Sequence, residues 1–119
     1  MKYQFEITGS IPSIKNSLKK GRYGFYTDSK VTEWFDDCIK QISIQKIPKL
    51  AGKVYAEMFI IDSDRNDTNN QISSLCDLLE HAGVVQNDRQ ITKIFADKTV
   101  ITKKNKLTPK TLIKIELLD

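Results

Sequence analysis

The fold is decided in residues 62–88, DSDRNDTNNQISSLCDLLEHAGVVQND. From Asn70, Ile72, Leu75, Leu78, Leu79 and Ala82 recur at helical spacing, which predicts an amphipathic helix over residues 70–82. Gly83 is placed to stop it. Carboxylates and carboxamides crowd both ends of this helix: Asp62, Asp64, Asp67, Asn69 and Asn70 before it, Asn87 and Asp88 after it. A helix start needs one such residue as a cap. Taken singly, Asp67 or Asn69 reads as that cap, and Asn87 with Asp88 as turn chemistry. Taken together in a basic chain, they predict a divalent-metal site facing a phosphodiester. Hard cations such as Mg²⁺ take oxygen ligands and keep several waters, so two or three protein groups suffice when a phosphate supplies the rest. Asp67, Asn69 and Asp88 could supply those oxygens.

Geometry constrains this reading. The helix over residues 70–82 is roughly 20 Å long at 1.5 Å per residue, and Asp67 and Asp88 lie beyond its opposite ends. They can meet if the chain after Gly83 doubles back along the helix, or if a second subunit supplies one of them. A symmetric dimer with composite or paired sites is therefore expected as one solution.

Outward from this stretch the pattern is strand-like. Residues 53–61 (KVYAEMFII) put Val54, Ala56, Met58 and Ile60 on one side and Tyr55, Phe59 and Ile61 on the other, a strand partly covered on both faces. On the other flank, Ile91, Ile94 and Ala96 open a strand running toward Thr102. KKNK (103–106) is a polar turn, and residues 111–118 form a last strand. At the start of the chain, Tyr3, Phe5 and Ile7 alternate with Lys2, Gln4 and Glu6, a half-buried strand broken at Gly9 and Ser10. A first helix, capped by Thr27, Asp28 or Ser29, buries Val31, Trp34, Phe35, Cys38, Ile39 and Ile42, and Pro48 closes that region. Asp36 and Asp37 face solvent off that stripe. The order is β-α-β-α-β-β. This predicts an α/β chain of the α+β type: one domain, residues 1–119, with a small mixed sheet and two helices packed on one face.

Between the first strand and the first helix, residues 12–28 read as an irregular segment. It carries Lys15, Asn16, Lys19, Lys20 and Arg22, with Tyr23, Phe25 and Tyr26 interleaved. Basic groups neutralise phosphates and amides position them; the aromatics could stack on bases or anchor the loop to the core. The whole chain has a net charge of +4, which favours a polyanionic partner. Cys38 and Cys76 lie far apart on apolar helix phases and read as reduced core residues, without any CxxC. His81, the single histidine, sits in a last helical turn, where an imidazolium would suit the helix dipole. No apolar run approaches the length of a membrane span, and MKYQFEITGS reads as a strand rather than a signal peptide. A cytoplasmic setting without membrane contact is expected.

The motifs resemble the RusA family of Holliday junction resolvases, small bacterial and phage-encoded endonucleases. The resemblance spans nearly the whole chain: the early strand, Pro12 and Ser13 with Asn16 in a basic loop, then YTDSK (26–30) entering a helix that carries Trp34. Most specific are Asp67, Asn69 and Asn70, then Asp77 and Leu78, Gly83, and Asn87 with Asp88 before Ile91. The family pattern there is D-x-D-N, a lysine three residues after that Asn, a helical Asp, a Gly, and a D-D pair. The resemblance implies a homodimer that binds four-way DNA junctions on a basic surface and makes paired nicks with Mg²⁺, for which Mn²⁺ can substitute, held by three aspartates. By position these are Asp67, Asn69 and Asp88. Asn69 is a departure that keeps an oxygen and loses a charge. Ser73 stands where the family has its lysine on the DNA, removing a cation, and Asn87 replaces the first member of the D-D pair. Arg65 is placed to contact backbone phosphate, and Asn70 and Asp77 to support the site. These departures leave a second expectation open, a non-catalytic junction- or nucleic-acid-binding homologue with a degenerate metal site.

Overall fold

A computed structural model describes residues 2–12, 18–21, 24–27 and 29–118. Six strands and two helices follow in order: β1 (Lys2–Thr8), β2 (Leu18–Gly21), β3 (Gly24–Thr27), α1 (Ser29–Ile44), β4 (Val54–Asp62), α2 (Thr68–His81), β5 (Ile91–Val100) and β6 (Lys110–Leu117). A 3-10 turn, Asp88–Gln90, precedes β5. The main sheet has the order β1-β6-β4-β5. β4 pairs in parallel with β5 and antiparallel with β6, which pairs antiparallel with β1. Parallel neighbours need a crossover, and α2 provides it. The mixed sheet and its β-α-β-α-β-β order are those expected.

One addition lies in the segment expected to be irregular. β2 and β3 pair as a separate two-stranded hairpin, with Gly21 opposite Gly24. Phe25, Tyr26 and Thr27 are residue types that favour a pleated backbone, and two glycines permit a sharp reversal between the strands.

The two faces of the sheet differ. On one, Phe5, Ile7, Val54, Ala56, Met58, Ile60, Ile113 and Ile115 pack with Cys38 and Ile42 of α1 and Leu75, Leu78 and Leu79 of α2. Alternation along β4 is strict, each even-numbered residue being buried. Among the described residues, neither helix packs on the opposite face. There Phe59 and Phe95 meet with ring centroids 5.9 Å apart, and Lys114 Nζ lies 5.5 Å from the Phe59 ring centre. Strand β5 remains largely exposed, including Ile94, Phe95 and Val100. Among the described residues no helix is long and apolar enough to cross a membrane.

The two cysteines are free thiols, as expected. Burial, reinforced by Asp37, pushes the Cys38 thiol up to about 12. Cys76 is pushed up to about 11 by burial and by the carboxylates of Asp88 and Asp77. His81 stacks edge-on against Phe35, with ring centroids 5.0 Å apart, so it also ties α2 to α1.

Candidate active site

The even-numbered burial of β4 runs on to its last residue, Asp62, which is 1% exposed. A buried carboxylate must find donors, and Asp62 finds four. Its Oδ1 accepts from Ser10 Oγ at 2.6 Å and from the Ser63 amide at 2.8 Å; its Oδ2 accepts from the Ile11 amide at 2.8 Å and from Gln71 Nε2 at 2.9 Å. Around it, Ile11 O accepts from Asn66 Nδ2 and Gln71 Nε2, and Pro12 O accepts from Ser74 Oγ at 2.7 Å. These bonds tie the end of β4, residues 10–12 and the first turns of α2 into one knot. They fix residues 63–67, the short loop that leads to Asp67. Sequence reasoning left Asp62 unassigned and missed Gln71 and Ser74, two polar residues buried on the inner side of α2. The signal for Asp62 was present: it continues the parity of Val54, Ala56, Met58 and Ile60. Asp64 stands exposed in the loop.

Asp67 is the N-cap of α2, with extended backbone, and its Oδ1 accepts from the Asn70 amide at 3.2 Å. The capping role weighed from sequence is therefore real; the second carboxylate oxygen remains for other chemistry. Asn69 and Ser73 are exposed, and Asp77 and Glu80 are half-buried. At 3.6 residues per turn these four recur on one side of the helix, so the candidate groups form a stripe along α2.

At the far end the helix stops as expected. Ala82 donates to Leu78 O at 2.8 Å, and Gly83 takes the positive φ of 76° that glycine adopts without strain. Val84 and Val85 then turn back, with both amides on Leu79 O and Val84 O accepting from the Leu50 amide at 2.8 Å. Gln90 locks the return. Its Oε1 accepts from the amides of Gln86 and Asn87, while its Nε2 donates to Leu50 O and Gly52 O. Asn87 completes a capping box with Gln90 and accepts from the Arg89 amide at 2.8 Å. Asp88 is thereby laid against α2 of its own chain, its amide donating to Glu80 Oε1 at 3.0 Å. The chain does double back after Gly83, but it lays Asp88 beside Glu80, roughly 20 Å along α2 from Asp67, so the return alone does not bring the two together.

This return brings carboxylates together. Asp77 titrates above the ordinary value of 3.8, first because of partial burial and then because of Asp88; His81 opposes the shift and Glu80 adds to it. Asp67 lies further up the stripe, since ten residues of helix from it to Asp77 rise about 15 Å. Among the described residues, no three His, Cys, Asp or Glu side chains form a ready-made metal cage. The donors along the stripe are nonetheless all oxygens, on Asp67, Asn69, Asp77, Glu80 and Asp88. The mutual repulsion of Asp77 and Asp88 is the kind a cation relieves. Asp77 and Asp88, the pair that the return brings together, offer oxygens that suit a hard, partly hydrated divalent ion whose shell water and phosphate complete, while Asp67 and Asn69 lie too far along the helix to share it within one chain.

Of the residues read from sequence as DNA-contacting, Arg65 is exposed in the loop before Asp67. Lys15, Asn16 and Arg22 lie outside the described residues, as do the side chains of Lys19 and Lys20, whose backbone belongs to β2.

A search of the curated proteins finds no match. The sequence profile of the family described as Endodeoxyribonuclease RusA matches residues 10–116. That span runs from Ser10, in the knot around Asp62, through the whole of α2 and its return to Glu116, the next-to-last residue of β6. The chain belongs to the RusA endodeoxyribonuclease family.

Proposed function

We propose that this protein is a structure-specific endodeoxyribonuclease that resolves four-way DNA junctions by paired nicks, dependent on Mg²⁺ or Mn²⁺, during recombination and repair. The observation that carries the reading is the return of Asp88 onto the same helix that Asp67 caps, in a chain matched by this family from residue 10 to residue 116. Asp67, through its remaining carboxylate oxygen, and Asn69 would hold the ion at the start of α2; Asp88, laid against Glu80 roughly 20 Å along the helix of its own chain, would join that ion from a second subunit. When bound, the ion supplies positive charge to the phosphate and acidifies a water. Hydrolysis joins a water oxygen to phosphorus, breaks one ester P–O bond, and leaves a proton of that water on the departing oxygen. The chain's own residues orient the substrate: Arg65 and the cations of the 12–28 segment, Lys15, Lys19, Lys20 and Arg22, neutralise phosphates, and Asn16 hydrogen-bonds them. Paired nicks need two sites, so the working unit is a homodimer.

A second reading rests on Asn69 and Ser73. An amide in place of a carboxylate lowers metal affinity, and α2 carries no lysine or arginine. Both describe a junction-binding protein whose metal site has degenerated. A nicking assay on a four-way junction beside a linear duplex, in Mg²⁺ and in Mn²⁺, separates the two. The proposal requires junction-selective nicks that fall about 100-fold or more in Asp67→Asn. Tight binding without product in either metal would favour the second reading. Asn69→Asp should raise nicking about tenfold by restoring ligand charge; an unchanged rate would argue that position 69 does not touch the ion. Mixing Asp67→Ala chains with Asp88→Ala chains tests whether sites are shared, since only shared sites regain activity.

A further inference from the structure

A nuclease that hydrolyses a phosphodiester must neutralise charge that builds on the phosphate oxygens, and a fixed cation does this best because it needs no reorganisation during the reaction. Helix α2 has none, its sequence TNNQISSLCDLLEH lacking lysine and arginine. The arginines at its two ends, Arg65 and Arg89, are both exposed. One cation is instead pinned at the start of the stripe. Lys98 sits in register with Ile60, so it lies on the helix-covered side of the sheet, and it is half-buried. Its Nζ reaches across the edge of the sheet and donates to the main-chain oxygen of Asn66 at 2.8 Å. Asn66 immediately precedes Asp67 and is itself held to Ile11 O in the knot around Asp62. The ammonium is thus fixed one residue from the capping carboxylate. An ammonium donates three hydrogen bonds, so one bond to a carbonyl leaves capacity for a phosphate oxygen.

We propose that Lys98 is the phosphate-contacting cation of this site: from β5 it supplies, at the Asp67 end of the stripe, the positive charge that α2 itself lacks. The inference deepens the nuclease reading and rests on it. It assigns to the Asn66 bond a role beyond stapling a loop, namely holding the ammonium where a phosphate bound at Asp67 would meet it.

The test separates charge from packing. Lys98→Met removes both charge and donor; Lys98→Gln keeps a donor for Asn66 O and removes only charge. Each is combined with Ser73→Lys, which places a new cation on the exposed stripe one turn beyond Asn69. Nicking rate at saturating junction, Mn²⁺ affinity and melting temperature are measured for every variant. The expected result is a roughly 100-fold lower nicking rate in both single variants, with Mn²⁺ affinity unchanged. Melting temperature should be held in Lys98→Gln, and Ser73→Lys should restore at least tenfold in either background. A wild-type nicking rate in Lys98→Gln would overturn the proposal. So would a loss that Ser73→Lys leaves untouched, or failure of both single variants to fold, because then Lys98 only staples the loop. If the wild-type protein nicks no junction in either metal, the nuclease reading itself fails, and this assignment with it; a wild type that nicks beside an equally active Lys98→Gln overturns the assignment alone.

Discussion

The two ends of α2 handle negative charge in opposite ways. At the N-terminal end, the buried Asp62 accepts four hydrogen bonds, Asp67 accepts the Asn70 amide, and Lys98 lies one residue away. Every group there is held by another. Along the C-terminal half, Asp77, Glu80 and Asp88 gather on one side of the helix, and at Asp77 only His81 opposes the effect of the other two carboxylates. The Asp77 carboxyl titrates high, first through partial burial and then through Asp88. The comparison teaches that carboxylates close in sequence can do different work. Asp62 holds the backbone together, whereas Asp77 and Asp88 are left in a mutual repulsion that a bound cation would relieve.

The largest expected effect tests the first half of that contrast. Asp62→Ala leaves the Ile11 amide and Ser10 Oγ without their acceptor in a buried place and takes one of the two acceptors of Gln71 Nε2, and hydrogen bonds to charged groups contribute most. Urea denaturation should show a loss of about 3 kcal/mol or more. A loss below about 1 kcal/mol would mean that the knot is not a support, and the contrast would collapse.

Asp67 sits at the junction of the two roles and can sharpen the contrast. Asparagine caps a helix about as well as aspartate, while alanine costs about 1 kcal/mol. Asp67→Asn should therefore keep the stability of the parent within about 0.5 kcal/mol and still lose nicking, whereas Asp67→Ala loses both. Equal nicking by Asp67→Asn and the parent would reduce Asp67 to a cap.

The smallest effect belongs to the crowded half. Asp77 binds its proton more tightly in the fold than in the unfolded chain, so its contribution to stability falls as pH rises through the raised value and is lost at neutral pH. Asp77→Asn should raise the melting temperature slightly at pH 7, and the gain should vanish as pH falls below 3.8, where both states are protonated. Saturating Mn²⁺ should shrink the gain at pH 7. A variant less stable than the parent at pH 7 would show that Asp77 is stabilising, and the picture of an under-neutralised half would fail.

Much of this was legible in the chain itself. Apolar residues at three- and four-residue spacing place α2 and α1, and strict alternation places β4, because period alone fixes which face of an element is buried. Gly83 marks the end of α2, since a positive φ there suits glycine. Asp67, Asn69 and Asp88 stand out by type and position around the helix. The parity of β4 also marked Asp62 as inward-facing, although a charged residue at a strand's end reads more readily as loop.

Tertiary structure decided the rest, because it depends on contacts between residues far apart in sequence. Nothing local announces that Asp62 meets Ser10 and Ile11, some fifty positions away, or that Gln90 fastens the chain to Leu50 and Gly52 and so lays Asp88 on its own helix. Nor does the strand sequence around Lys98 reveal that its ammonium ends at Asn66. The sequence by itself determined which groups are candidates for the chemistry, through residue type and spacing. Only the pairing of β4 with β5 and the return after Gly83 decided which of those groups share a surface, since hydrogen-bond partners across a fold are chosen by packing and not by proximity along the chain.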